Sequence, residues 1–254
     1  MRELTIGKND AGQRLDRFLS KALPLLPPAL AQKYIRIKRV KVNGGRAQRD
    51  QRLSAGDVLQ LYINDEFFDK PSEENLFLTL FKPHLTVVYE DEHLLLADKP
   101  QGMVVHADET EKVNTLINHI QAYLYQKREW NPKWENAFTP ALCNRIDRNT
   151  GGIVIAAKDA ETLRVINEKI RDRELDKRYL CITVGRPRKP EGRVECFLLK
   201  DEQKKQVSVY HKPIPGGKTA ITDYRVLETR GELSLVEIGL ETGRTHQIRA
   251  TMAD

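Results

Sequence analysis

The residues best suited to chemistry lie together in Asn144-Arg145-Ile146-Asp147-Arg148-Asn149-Thr150-Gly151-Gly152. One acid stands between two arginines in a glycine-closed loop, directly before the apolar run Ile153-Val-Ile-Ala-Ala157. Neighbouring cations favour the charged form of a carboxylate, and an ionised carboxylate held at a strand mouth suits a nucleophile. Taken alone, Arg-x-Asp-Arg reads more readily as a structural salt bridge in a turn. A second cluster is Thr242-Gly-Arg244-Thr-His246-Gln-Ile248-Arg249. Thr245 is the expected N-cap of a helix there, which puts Arg249 about one turn in. Arg249 otherwise reads as a surface cation and Ile248 as a core aliphatic. Tyr179 shares a strand face with Cys181 and Thr183, where a core tyrosine is the competing reading. His106 and His246 lack any H-x-x-x-H, H-E or C-x-x-C spacing, so no metal is expected.

The elements that must position these groups come from a chain of 254 residues with 42 Lys+Arg, 36 Asp+Glu and a net charge of +6. That length allows one large domain, or a large one with a small one. Apolar runs such as His93-Leu-Leu-Leu-Ala97 exclude a wholly disordered chain, and no run is long enough to span a membrane. The N-terminus MRELTIGKNDAGQR has no signal-peptide character. Cys143, Cys181 and Cys196 are spaced for neither a disulfide framework nor zinc, which points to reducing cytosol and a cytoplasmic protein. The charge is uneven. Residues 1–62 hold thirteen Lys+Arg against five Asp+Glu, a net +8, and the remainder carries −2. A basic module on a nearly neutral body suits a polyanionic partner.

That basic module reads as helix, helix, strand, strand. Leu15, Phe18, Leu19, Ala22 and Leu23 recur at helical spacing while Arg14 and Arg17 fall on other faces. Pro28 opens a second helix to about Ile37, with Lys33 and Arg36 on one side. Val40 and Val42 alternate around Lys41 into the tight-turn pair Asn43-Gly44, and Leu59, Leu61 and Ile63 alternate again. Residues 64–83 are polar and read as a linker. Beyond them, Leu94–Ala97, Gly152–Lys158, Lys177–Val184, Thr222–Leu227 and Leu233–Leu240 read as strands. Leu116, Ile117, Ile120 and Leu124 predict a helix, followed by an exposed loop with Trp130 and Trp134. Asp159 is the expected N-cap of a helix over Ala160–Arg173. Strands separated unevenly by a few helices predict α+β architecture with a mixed, largely antiparallel sheet.

Two resemblances cover nearly all of the chain. Gly12-Gln-Arg-Leu-Asp-Arg-Phe-Leu19, Gln32-Lys33-Tyr-Ile-Arg36, Arg39-Val-Lys-Val-Asn-Gly44 and Ala55-Gly-Asp-Val58 resemble the alpha-L RNA-binding domain, over residues 1–63. That domain was first described in a small-subunit ribosomal protein. Four ordered segments over 84–254 resemble the RluA-type pseudouridine synthases. They are Glu90–Gly102 with Val105-His106, the Asp147 loop, Lys177-Arg-Tyr-Leu180, and Thr242–Arg249. The resemblance implies isomerisation of uridine to pseudouridine in RNA, without cofactor or metal. It implies Asp147 as the catalytic aspartate and Tyr179 as the residue that stacks on the flipped base and helps remove the proton from carbon 5. Arg249 would pair with Asp147, and Ile248 would pack on the uracil. Arg145, Arg148 and Arg244 would contact RNA, as would Arg14, Arg17, Lys33, Arg36 and Lys41 of the basic module. Large-subunit ribosomal RNA is the expected substrate, with transfer RNA as the alternative, and a monomer is expected.

The chain departs from the family pattern in three places. Asn144 stands where His is usual, and Gly151-Gly152 where Ser-Gly is commoner. The chain ends at Met252-Ala-Asp254, where such proteins continue, so the catalytic domain is expected to lack its C-terminal part and the Arg249 helix to be short of packing partners. Three roles stay open to the carboxylate: attack on the ribose, attack on the ring, or deprotonation of the sugar. Two other functions compete with the isomerase reading. One is an RNA-binding protein with an inactive synthase scaffold, the other a uracil-releasing hydrolase.

Overall fold

A computed structural model describes residues 1–68, 77, 80, 82–132, 136–201 and 206–254. They form two compact units, Met1–Glu168 and Lys169–Asp254.

The first unit opens with strand Arg2–Thr5 (β1), helices Leu15–Ala22 (α1) and Pro28–Arg36 (α2), and strands Val40–Val42 (β2), Gly45–Arg46 (β3) and Val58–Leu61 (β4). Their antiparallel sheet runs β1-β4-β2-β3. Leu15, Phe18 and Leu19 of α1, Tyr34 and Ile35 of α2, and Val40, Leu59 and Leu61 of the sheet bury one another. Asn43 and Gly44 take φ of 51° and 76°, the left-handed pair that a two-residue hairpin turn requires. The sequence pattern does not announce β1. Its four residues become a strand only because β4 offers a free edge, with Arg2 opposite Leu61 and Thr5 opposite Val58. Asp65–Phe68, at the start of the expected linker, wind into a 3-10 turn. Phe67 and Phe68 pack on the module's core, and the Arg2 guanidinium lies 4.5 Å above the Phe68 ring. Linker residues 69–76 lie outside the described residues.

Strands Thr86–Glu90 (β5), Leu94–Lys99 (β6), Ala141–Leu142 (β7) and Gly152–Ala157 (β8) form a second antiparallel sheet, β5-β6-β8-β7. Helix Leu116–Gln126 (α3) is capped by Thr115, whose hydroxyl accepts the Asn118 N–H. Helix Ala160–Arg171 (α4) starts at Asp159, which accepts from the Thr162 N–H at 2.7 Å as its residue type predicts. Trp130 corrects the expectation of an exposed loop: it is 4% exposed, its ring lies 5.2 Å from Phe77, and its indole N–H donates to the Phe138 carbonyl. A neighbouring aromatic and a carbonyl give that large ring more than solvent does. Trp134 lies outside the described residues.

One charge network ties this sheet to α3. The Glu90 carboxylate of β5 accepts from Lys127 at 2.8 Å, Lys158 at 3.0 Å and the Tyr123 hydroxyl at 2.8 Å, and Glu129 bridges the same two lysines. Burial alone would raise the Glu90 pKa, but the hydrogen bonds from the two lysines and the tyrosine outweigh it and lower it from 4.5 to about 2.

The second unit is a five-stranded antiparallel sheet in the order β11-β10-β12-β13-β9, with one helix. Its strands are Arg178–Val184 (β9), Glu191–Asp201 (β10), Gln206–Tyr210 (β11), Lys218–Arg230 (β12) and Leu233–Leu240 (β13), and its helix is Gln247–Ala253 (α5). β10 and β11 are missing from the sequence expectation, and β12 is longer than the predicted Thr222–Leu227. Charged residues interrupt both strands of the β10–β12 pair, and the register sets Glu191 opposite Arg225 and Arg193 opposite Asp223 on the face away from α5. α5 is not short of partners: Ala250 packs on Cys196, Leu198 and Ala220. The α+β class and antiparallel pairing agree with the sequence pattern. Among the described residues no helix is long and apolar enough to cross a membrane.

A lowered Glu90 pKa means stabilisation that is present above pH 4.5 and disappears as the pH falls towards 2. In denaturant titrations Glu90→Gln should be less stable than wild type at pH 7 by on the order of 2 kcal/mol, and the two should converge near pH 2. A gap that does not change with pH would reject the network's role.

Candidate active site

Asp147 is carried by the connection between β7 and β8. The two strands pair Ala141↔Ala157 and Leu142↔Ala156, and the Cys143 N–H extends the ladder to the Ile155 carbonyl at 2.8 Å. Asn144 then continues the pairing with its side chain. Its Nδ2 donates to the Ile153 carbonyl at 3.2 Å and its Oδ1 accepts the Ile155 N–H at 2.8 Å. This residue, unusual for the family pattern, thereby stands in for a rung of the β-ladder and closes the loop. Ile146 turns inwards, 9% exposed, and Asp147 is half-buried, with its carbonyl accepting the Thr150 N–H at 3.0 Å. Gly152 has φ +129°, a conformation that L side chains rarely adopt. Gly151 is different: a Cβ there would meet Gln101 Cγ and the Lys99 carbonyl at 3.5 Å, ordinary contact that leaves room for the commoner serine.

Behind this turn lies Lys99, the last residue of β6, fully buried and opposite Gly152 in the register. Its ammonium donates to the carbonyls of Pro100 at 2.9 Å, Met103 at 2.8 Å and Arg148 at 3.1 Å. The Gly102 N–H reaches the same Arg148 carbonyl at 2.8 Å. Burial lowers the Lys99 pKa and the negative charge of Asp147 raises it, so the two groups feel each other. Lys99 went unnoticed in the sequence because nothing about Asp98-Lys99-Pro100 distinguishes a buried lysine from an exposed one.

The flanking arginines divide. Arg145 is exposed, and its charge adds to crowding in lowering the pKa of His106. Arg148 turns away from the acid beside it and donates to Asp108 and to the Thr110 hydroxyl, each at 2.7 Å. Asp108 also accepts the N–H groups of Thr110 and Glu111, and together these bonds hold its carboxyl far below the ordinary range.

Tyr179, Arg244, Ile248 and Arg249 belong to the second unit. Tyr179 is half-buried on β9, opposite Ile238, which is opposite Tyr224. By register that row shares a face with Thr222, Ala220, Cys196 and Leu198, the face on which α5 packs. The expected Thr245 cap is corrected: the residue before the helix is His246, with φ 52° and no side-chain cap bond, so Arg249 is the third helical residue. Gln247, 2% exposed, instead ties the turn before the helix to the sheet. Its Oε1 accepts from the Thr242 hydroxyl at 2.9 Å and the Arg244 N–H at 3.0 Å, while its Nε2 donates to the Ile221 carbonyl at 3.0 Å and the Thr222 hydroxyl at 2.9 Å. The Arg244 Nε donates to the Thr219 carbonyl at 2.9 Å, Ile248 is half-buried and Arg249 exposed.

On the N-terminal module Arg17, Lys33 and Arg36 are exposed, and among the described residues none of them forms an ion pair. Arg14 differs, forking onto Asp16 at 3.1 and 2.7 Å, where Arg49 joins at 3.0 Å. Lys41 lies 5.4 Å over the exposed Tyr62 ring. Among the described residues no three His, Cys, Asp or Glu side chains gather as a metal site would need.

Residues 93–254 match the family model for RNA pseudouridylate synthase, and residues 13–59 match the S4 domain. The chain belongs to the RNA pseudouridylate synthase family. A Mycoplasma genitalium protein named an RNA pseudouridine synthase is 31% identical over 97% of this chain and 76% of its own length. Ribosomal large subunit pseudouridine synthase C of Vibrio cholerae is 32% identical, covering 97% of this chain and 74% of that protein. Ribosomal large subunit pseudouridine synthase D of Borreliella burgdorferi is 30% identical, covering 99% and 74%. Among solved structures, human RNA pseudouridylate synthase domain containing 4 has the same fold, with a TM-score of 0.53 and 23% identity over 66% of this chain and 63% of that one. Human RNA pseudouridylate synthase domain containing 1 has a TM-score of 0.52 and 18% identity over 72% and 66%. The chain thus spans about three quarters of these curated relatives and slightly under two thirds of the solved chains.

Within this synthase-family chain Lys99 and Gln247 are the residues that the motif reading undervalued. Both are buried polar groups whose bonds tie a neighbouring turn in place. Lys99→Met should cost about 2–4 kcal/mol, because it strands the Pro100 and Met103 carbonyls and leaves the Arg148 carbonyl to Gly102 alone. Chemical unfolding checks the loss, and Lys99→Arg, too wide for three converging carbonyls, should not restore it.

Proposed function

We propose that this chain isomerises specific uridines of large-subunit ribosomal RNA to pseudouridine, with Asp147 as the reacting carboxylate. The observation that carries the reading is the presentation of Asp147 at a hairpin turn whose backbone is held from behind by Lys99. Family membership supplies the reaction class, and the names of the Vibrio and Borreliella relatives supply the substrate class. The reaction balances without an oxidant or cofactor. The bond from N1 to the ribose C1′ breaks, the freed uracil turns, and C5 bonds to C1′. A proton leaves C5 and N1 finishes with one. The target base must first leave its stack, at a cost of a few kcal/mol that is smallest in loops and bulges. Tyr179 supplies a ring to stack on that base, Ile248 an apolar contact, and Arg249 a cation for the carboxylate. The exposed Arg17, Lys33 and Arg36 supply phosphate contacts that fix where the RNA lies without reading its sequence. Arg14 and Arg148, already paired with Asp16 and Asp108, contribute through the orientation of their loops.

Asp147→Asn should lower pseudouridine formation in ribosomal RNA by about 10³-fold or more, with RNA affinity retained. Mapping pseudouridine in RNA from cells lacking the gene, complemented by either form, reads the result. Retained modification would remove Asp147 from the chemistry, and release of free uracil would make the protein a hydrolase instead.

The double substitution Lys33→Ala with Arg36→Ala should weaken binding across RNA sequences alike. Two lost phosphate contacts should flatten the slope of log affinity against log salt by about 1.5. An unchanged slope would place the RNA on another face.

A further inference from the structure

Asp10 carries a buried charge that the proposed chemistry does not use. It ends the 3-10 turn Lys8–Asp10 on the N-terminal module and has no exposed surface. Its Oδ1 accepts the Phe138 N–H at 2.6 Å and the Ala137 N–H at 3.2 Å, and its Oδ2 accepts the Asn136 N–H at 3.3 Å. Those three residues are far away in sequence. They run through Thr139-Pro140 directly into β7 and so into the Asp147 loop. Burial raises the Asp10 pKa above its ordinary value and the three backbone donors offset only part of that rise, so this carboxyl is taken out of water at a cost that its bonds to the distant segment reduce.

Other contacts close the same joint. The Asn136 Nδ2 donates to the Thr5 carbonyl at 2.7 Å, and Ala137 packs against the module's own core. From α4, Arg164 donates to the Gly12 carbonyl at 2.7 Å, and a Cβ on Gly12 would stand 2.7 Å from its Nη1. The module and the Asp147 loop consequently lie in one compact unit, although the sequence offers a linker between their domains.

We propose that Asp10 is a positioning residue, locking the RNA-binding module to the segment that leads into the Asp147 loop so that the module selects which uridine reaches that loop. The proposal rests on the reading of Asp147 as the residue that meets uridine. A module held by a buried carboxylate keeps its cations at a set distance from the reacting carboxylate, whereas a tethered one would only raise the local RNA concentration. The joint therefore acts on target choice, and RNA affinity by itself is the smaller part of its effect.

The test uses the full chain with Asp10→Ala, Asp10→Asn and Arg164→Gln. Hydrogen exchange at the Ala137 and Phe138 amides should quicken about tenfold or more in Asp10→Ala, the change for one lost buried bond of about 1.4 kcal/mol. Asp10→Asn, which keeps one carbonyl oxygen for Phe138, should fall between. Turnover is then compared on a long ribosomal RNA fragment and on its minimal target stem-loop, too short to reach the module. Wild type should prefer the long RNA, and Asp10→Ala should lose about tenfold of that preference through KM, with kcat on the stem-loop unchanged. Unaltered exchange would overturn the lock, and faster exchange with unaltered preference would overturn the selection. If Asp10→Ala does not fold, Asp10→Asn and Arg164→Gln carry the same two comparisons. Should wild type form no pseudouridine in any RNA, the proposed function fails while the exchange measurement still judges the joint.

Discussion

A fully buried ammonium has to find oxygen atoms, and in this protein that requirement shapes the Asp147 loop. Lys99 finds three carbonyls, two on its own loop and one at Arg148 across the hairpin, which uses every proton it has. The unpaired alternative would be a charge in a dry interior, far more costly than the order it imposes. The Asp147 turn is therefore held from its inner side. Its outer side is left to Ile146 packing inwards, Asp147 half-buried and Arg145 in solvent. A turn held only by its own hydrogen bonds would have had to choose between rigidity and exposure.

The second unit repeats the arrangement with a neutral group. Gln247 uses both ends of its amide, four bonds in all, to seat α5 on β12 and to orient the Arg244 turn. Ile248 and Arg249 follow it directly and inherit that placement. Asp10 is the third member of the pattern, a buried carboxylate that binds backbone N–H groups of a distant segment. In each case a buried polar residue with several bonds holds one segment of backbone against another. Such networks specify one conformation because any partial version leaves a polar group unsatisfied.

Much of the site was legible from residue types. Asp147 between its arginines, the Asn43-Gly44 hairpin, Pro28 at the start of α2 and Asp159 at the start of α4 all depend on local chemistry, and local chemistry is what a sequence displays. The errors have a common cause in distant partners. Trp130 looked exposed because Phe77, whose ring packs on it, lies far back in the sequence. Thr245 looked like a cap from its residue type alone, but the chain enters the helix through His246 in the left-handed region, and the preceding turn is held by the Gln247 side chain. β1 and β10 were hidden by charged residues that only a sheet edge and a cross-strand partner make acceptable in strands.

The sequence by itself determined the basic N-terminal module, the α+β class and the resemblance to the synthase family, since each rests on composition, period or an ordered motif. Only the tertiary structure decided which polar residues are buried, that Arg148 serves Asp108 while Arg17, Lys33 and Arg36 form no ion pair among the described residues, and that the module is joined to the segment leading to Asp147. The physical reason is that the meaning of a charge depends on its solvation. Lys99 and Lys33 are the same residue in the sequence, but one lies among carbonyls and the other in water, and solvation is set by groups that the chain brings together from far apart.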